Sequence, residues 1–436
     1  MPAGRRTVAN PEKEPRVRRG LAGLLAAEAI SLLGSRITFV ALPWLVLTST
    51  GSALLAGVAG FAEMLPYVLA GLLGGPIVDR AGPRPTAVAA DVASMIAVIG
   101  IPVLYATGAV PYHTLLVLIA VAGALRGFGD TAKRALLPRV IAAAGLSTER
   151  GTTLYDGISR VATLLGLPLA GLLVAAAGPA RVLLADAASF GACALLITLF
   201  VRAGSTGQPP ADDEEGGYAA ALRCGFRHVR QDRLIIGIMS MLFVTNLFDQ
   251  AYATVFVPVW VREGPHGPAA LGVLGSAFGI GAVAGNILWT IVGPRLPRRS
   301  TFAVCFLLGG PAQLFALSLS DRLWPVLAIA ALAGTLMASI NPILLAAVYE
   351  RVPVRMQGRV MSVLIAFSWA GIPLGGVLGG WAADDLGLRT GALLAGIGYL
   401  LVTLAPFVSS AWHALDEHRA PGRVAERGEP SLTSAG

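Results

Sequence analysis

Charge is the scarcest ingredient of this chain. Only 13% of its 436 residues are Asp, Glu, Lys or Arg, about half the share found in soluble domains. That excludes an ordinary water-soluble fold. Cysteine is nearly absent: Cys193 and Cys305 sit inside apolar runs and Cys224 in a central polar stretch. No disulfide framework or thiolate metal site follows. The five histidines (His113, His228, His266, His413 and His418) are expected in loops or tails, without acids or thiols at ligand spacing. No metal and no cofactor is therefore expected. No Walker-type glycine loop is present, so ATP is not expected to drive the protein directly, and no enzyme signature emerges.

What is present is length and hydrophobicity. Apolar residues make up 55% of the chain, and a helix needs about 20 of them to cross the ~30 Å hydrocarbon layer. Twelve spans are expected near 21–48, 52–78, 86–106, 113–133, 153–177, 181–201, 234–261, 268–292, 301–320, 323–348, 360–383 and 388–409. The first is too long for a signal-peptide core and lacks a cleavage-like end, so it is expected as a retained helix. The net charge of +8 points to orientation in a bilayer rather than to nucleic acid. With the N-terminus inside, the inner segments hold Arg80, Arg84, Lys133, Arg134, Arg139 and most other basic residues. The outer loops hold only Arg181, Arg262, Arg322 and Arg389. That bias predicts both termini on the cytoplasmic side.

The expected organisation is a tail over 1–19, a six-helix bundle over 20–201, a linker over 202–233, a second bundle over 234–409 and a tail over 410–436. The linker begins Gly/Pro/acid-rich. It continues as Tyr218 to Arg230, with Leu222, Phe226 and Val229 on one face and arginines opposite, the pattern of a basic amphipathic helix on the inner membrane surface. The halves echo each other. Gly166-Leu-Pro168-Leu-Ala-Gly171 recurs 205 residues later as Gly371-Ile-Pro373-Leu-Gly375-Gly376, in the fifth helix of each six. Two parallel six-helix halves are an arrangement that places a site at the midplane between them.

Between the second and third spans lies Gly74-Gly75-Pro76-Ile77-Val78-Asp79-Arg80-Ala81-Gly82-Pro83-Arg84. A tight turn with one acid and two arginines cannot sit in lipid, so it is expected as a water-facing elbow. It resembles the signature loop Gly-x-x-x-Asp-Arg-x-Gly-Arg-Arg of the major facilitator superfamily, with Pro83 in one trailing basic position. Ser31 to Trp44, Ala135 to Val140, Ala185 to Phe190 and Gln357 to Val360 resemble its bacterial drug-exporter branch, to which macrolide efflux proteins and the enterobactin exporter belong. The series Gly157, Gly166, Pro168, Gly171 is similar to the antiporter signature of proton-driven exporters, without its adjacent Gly-Pro and double glycine. The resemblance implies an all-α membrane protein of twelve transmembrane helices in two six-helix bundles. It implies a monomer in a bacterial inner or plasma membrane that exports small amphipathic compounds in exchange for protons by alternating access. A siderophore or self-made-metabolite exporter, or a non-transporting receptor or scaffold, remain alternatives.

Ionisable groups inside spans are expensive and mark functional positions. Glu28 and Arg36 fall in the first span, Glu63 in the second, Asp91 in the third, Asp186 in the sixth, Asn246 and Asp249 in the seventh. Glu28 and Glu63 are the first choices for proton coupling, with Arg36 favouring their ionised forms if close; Asp249 and Asn246 are the second-half candidates. Arg126/Asp130 and Asp156/Arg160 are spaced for i,i+4 pairing, which fits plain structural charge pairing. It also fits a latch in which Gly75, Asp79, Arg80, Gly82, Arg84, Asp130 and the helix start near Arg359 hold an outward-open state. Trp44, Phe61, Phe243, Phe248, Trp289, Phe367 and Trp369 are candidates to line an apolar cavity, or equally to face lipid or a helix contact. Partners expected are the bilayer, protons and an amphipathic substrate.

Overall fold

The computed structural model describes residues 13–106, 111–201 and 226–416. Most of the expected linker and amphipathic helix, and much of both tails, lie outside the described residues. Among those described there is no strand, and twelve helices are long and apolar enough to cross a membrane. They are α1 Arg19–Thr50, α2 Ala53–Leu73, α3 Pro83–Leu104, α4 Tyr112–Ala143, α5 Arg150–Ala177 and α6 Pro179–Phe200. The second six are α7 Arg233–Glu263, α8 Ala269–Val292, α9 Arg298–Leu319, α10 Leu323–Arg351, α11 Arg359–Asp385 and α12 Leu388–Val408.

Several boundaries differ from expectation. Helical backbone runs back to Lys13, inside the stretch expected as tail. α2 stops at Leu73, and the elbow continues as a separate seven-residue helix, Gly75–Ala81, which ends at Gly82 with φ 88°. Only glycine adopts that conformation freely, so Gly82 lets α3 start at once in a new direction. α4 runs to Ala143, ten residues past its expected end. Ser410–Leu415 form a short 3-10 helix in place of tail, with Trp412 buried against Phe302.

Within the first six helices α1 packs on α5 and α6, and α4 on α2 and α3; within the second six α9 packs on α10 and α12, and α7 on α11. Many large apolar side chains on the outside, such as Ile96, Leu199 and Ile280, are exposed. Lipid satisfies them, so their exposure fits a bilayer rather than water. Alternating crossings put the described chain ends at one end of the molecule, the near end. The α1–α2, α5–α6, α7–α8 and α11–α12 turns lie at the other, the far end.

Candidate functional site

A cavity of about 400 Å³ lies between the halves. Its wall is mainly apolar side chains of the second half, among them Leu242, Leu274, Phe278, Phe306 and Met337. The first half adds Phe39 and Val40 of α1 and Leu167 of α5. Polar groups are few: Thr245, Asn246 and Asp249 on α7, Gln313 on α9 and Asn341 on α10. The Asn246 amide donates to the Ser368 carbonyl at 3.0 Å, and the Gln313 amide to its own helix at Gly309, 3.4 Å away. The Asp249 carboxylate accepts from the Tyr399 hydroxyl at 3.4 Å.

Irregular helix surrounds this wall. α7 widens to a π turn at Tyr252–Phe256 just after Asp249, where Pro258 has no N–H to give the preceding turn. α10 breaks between Met337 and Ile340, because Pro342 leaves the Ala338 carbonyl without its helical donor. Non-helical backbone at membrane depth is tolerated where it lines a cavity. The aromatic lining is Phe39, Tyr252, Phe278 and Phe306, and none of the seven candidates lines the cavity. Phe243 instead stacks on Phe367 at 5.5 Å, and Phe248 on Tyr399 at 5.9 Å. Helix rotation decides which aromatics face the cavity, and a residue list does not carry it.

Asn246 and Asp249 therefore reach the cavity, whereas Glu28, Arg36 and Glu63 do not line it. Glu63 is 6% exposed and is held by Arg126 at 2.6 Å, so Arg126 does not make the expected pair with Asp130. Arg126 also lies over the Tyr67 ring at 5.1 Å, and the Tyr67 hydroxyl donates to Asp130 at 3.1 Å. Lys133, expected in an inner loop, is 1% exposed inside α4. Its ammonium reaches Ser31 at 2.8 Å and both Asp91 and Asp130 at 3.4 Å. Asp186 accepts from Thr38 and Ser189, and Glu28 from the Tyr155 hydroxyl at 2.6 Å. Arg126, Asp130 and Lys133 thus occupy successive turns of one α4 face, and each finds partners on other helices. The signal for Lys133 was its i,i+3 spacing from Asp130. The Asp156/Arg160 pair falls outside the described side chains.

At the near end the elbow makes no ion pair with Asp130 in this conformation. Asp79 and Arg80 are exposed, and neither side chain forms an ion pair with a described residue, Asp130 included. Arg84 does bind: its guanidinium donates to the Thr198 carbonyl in the last turn of α6 at 2.8 Å, where a cation suits the helix end. Arg359 is half-buried at the start of α11.

Two crossings of almost bare backbone join the halves at the far end. α2 crosses α11 where Gly57 meets Gly376, and α5 crosses α8 where Gly171 meets Gly272. A methyl group on Gly57 would overlap the Gly376 carbonyl, and one on Gly171 the Gly272 main chain. In the antiporter-like series, Gly171 and Pro168 abut Gly272, Gly166 faces the Arg36 side chain, and Gly157 faces open space. Charges tighten the same end. Asp384 of α11 caps α2 of the other half, accepting from Ser52 Oγ at 2.6 Å and from the Ala53 and Leu54 amides at 2.9 Å. Arg262 of α7 donates to the Leu47 and Gly51 carbonyls at the end of α1, at 3.3 and 2.9 Å. An acid at one helix start and a cation at another helix end both follow the backbone dipoles. Asp384→Ala is expected to remove about 1 kcal/mol of far-end closure, the typical worth of a cap, or roughly a fivefold shift in population. Spin-label distances across the α1–α2 and α11–α12 turns measure it, and an unchanged distance distribution would show that the cap does not hold the halves.

Comparison with known proteins gives a consistent result. The family model described as Major Facilitator Superfamily matches residues 24–267 and 241–435. A relative from Mycobacterium tuberculosis (strain ATCC 25618 / H37Rv), "Multidrug efflux pump Tap", is 30% identical over 398 residues, covering 90% of this chain and 94% of the relative. One of the same name from Mycolicibacterium fortuitum is 27% identical over 382 residues, covering 87% and 93%. The solved nucleoside transporter NupG, in a mutant form, has a similar fold, with TM-score 0.71 at 11% identity over 89% of this chain and 99% of that one. So does a D-xylose-proton symporter, with TM-score 0.65 at 13% identity over 89% and 97%.

Proposed function

Since this chain belongs to the Major Facilitator Superfamily and is a multi-pass membrane transporter, we propose that it exports small amphipathic compounds in exchange for protons by alternating access. The observation that carries the reading is the cavity between the halves, mainly apolar with a few placed polar groups. That composition suits amphipathic ligands. It suits sugars or hydroxyl-rich iron carriers poorly, since these demand many hydrogen bonds, so the siderophore alternative is set aside. The names of the mycobacterial relatives support efflux.

We place the near end in the cytoplasm, following the distribution of Lys and Arg in the sequence. On that orientation the far-end crossings close the outer side, and the present conformation faces inward. Rocking of the halves would part those crossings and bring the near-end elbow at Gly75–Arg84 toward Asp130 and the start of α11 at Arg359. Coupling belongs to the intramembrane carboxylates, of which Glu28, Glu63 and Asp249 are candidates, with Arg36 and Asn246 as their polar neighbours in the same spans.

The test is flux. Purified protein in vesicles acidic inside is expected to accumulate dyes from an amphipathic panel at least about 10-fold over empty vesicles. The accumulation is expected to vanish when an ionophore collapses the gradient. Failure of every dye and antibiotic in the panel to move with the gradient would leave a receptor or scaffold as the better reading.

A further inference from the structure

Each intramembrane acid described in the first half has a partner. Glu63 has Arg126; Asp91 and Asp130 share Lys133; Asp186 has two hydroxyls; Glu28 has Tyr155. Asp249 stands differently. Among the described residues it is the one acid lining the cavity, and the hydrogen bond it accepts there comes from the Tyr399 hydroxyl at a long 3.4 Å. No described Lys, Arg or His lines that cavity.

Among the described residues, the neighbouring elements bring no counter-ion either. α12 offers Tyr399, and α7 adds Tyr252, Thr245 and Asn246. α9 and α10 bring only the amides of Gln313 and Asn341. On α1, Arg36 lies one turn from Phe39, but its side chain runs along α5 at Gly166. The faces of α5 and α8 that reach the cavity are apolar, and α11 meets α7 beside Asp249 through Gly375.

An isolated ionised carboxylate in such surroundings is costly, and something must neutralise it. Two agents are available in this cavity: a proton, or a positive charge carried in by a ligand. We propose that Asp249 is the cation-recognising group of the site, and that an organic cation and a proton occupy it in turn. The ligand class is an amphipathic compound bearing one positive charge, its apolar body held against Phe278, Phe306 and Leu274 while the charge replaces the Asp249 proton. Binding then releases one proton, which leaves to water, and reprotonation expels the cation. The inference rests on the transporter reading above and selects one carboxylate among its three candidates. Glu63 is not selected because its charge is already matched within the fold.

The experiment uses the full-length purified protein, with tetraphenylphosphonium as a permanent cation and triphenylphosphine oxide as a neutral analogue. Cation affinity of the unaltered protein is expected to rise about tenfold per pH unit while protonated Asp249 predominates, as competition with one proton requires. About one proton is expected to be released per cation bound. Affinity for the neutral probe is expected to stay flat. Asp249→Asn is expected to lose at least about tenfold in cation affinity, release no proton, and bind the neutral probe normally, which also reports that it is folded. Asp249→Glu is expected to keep proton release. Cation affinity in the unaltered protein that ignores pH, or no cation binding at all, would overturn the proposal whatever the variants do. So would an Asp249→Asn protein that binds the cation as before. If the vesicles still move neutral dyes along the gradient in that case, the export reading stands and only the cation site is lost. If nothing moves in vesicles yet cations displace protons from Asp249, the export reading is the one that falls.

Discussion

Replacing Gly171 by valine is expected to lower transport by about 10- to 100-fold while leaving a folded protein in the membrane. Gly171 sits where α5 crosses α8, and even a single methyl group there would overlap the Gly272 backbone. A backbone atom cannot rotate aside as a flexible side chain can. Overpacking of this kind costs about 1–3 kcal/mol or more, and each ~1.4 kcal/mol changes the closed population tenfold. The penalty applies only when the far end is closed, because parting the halves removes the overlap. The variant is therefore expected to rest with its far end open, which spin labels on the α5–α6 and α7–α8 turns detect. Gly57→Val is expected to do the same at the α2–α11 crossing, and Gly171→Ala to fall between. Wild-type flux in Gly171→Val would mean that this close approach is not part of the cycle.

Arg126→Leu is expected to be as damaging, by another route. Removing the guanidinium leaves Glu63 buried without its counter-ion at 2.6 Å, and also removes the cation lying over Tyr67. Deleting one partner of a buried pair costs about 3–5 kcal/mol, mostly as the penalty on the charge left behind. The melting temperature of the purified protein is expected to fall by many degrees, with little mature protein in the membrane. Glu63→Leu combined with Arg126→Leu is expected to recover most of that loss, since an apolar pair of similar size needs no compensation. If the double variant is no more stable than Arg126→Leu, the damage lies in packing rather than in an unpaired charge.

Much of the architecture was legible before any coordinates. The twelve spans follow from apolar run length alone, and all twelve are present. The Gly-Leu-Pro and Gly-Ile-Pro echoes, 205 residues apart, mark the helices that reach across: Gly171 of α5 meets α8, and Gly376 of α11 meets α2. Small residues are needed wherever two backbones come that close, so the demand is written directly in residue type. Lys133 was misplaced because a charge in an apolar run looks like the run's end, and only its tertiary partners Ser31, Asp91 and Asp130 show that α4 continues. Which aromatics line the cavity stayed open in the sequence because helix rotation about its own axis depends on neighbours. Asp384 was overlooked for a different reason: it resembles an ordinary loop acid, and the helix start that it caps lies 332 residues earlier.

The two glycine crossings have a consequence for how the molecule feels its surroundings. Hydrocarbon offers no hydrophobic drive to press one helix on another, so adhesion along such a seam comes from close dispersion contact and weak C–H···O attractions. Neither kind of contact is tied to a single angle, so in the proposed alternating-access cycle the seam would separate and reseal without any side chain being rebuilt. Its strength is then set partly by the lipids that compete for the same surfaces. Bilayer thickness and acyl-chain packing are thereby joined to the amino acids in fixing how long the halves stay shut.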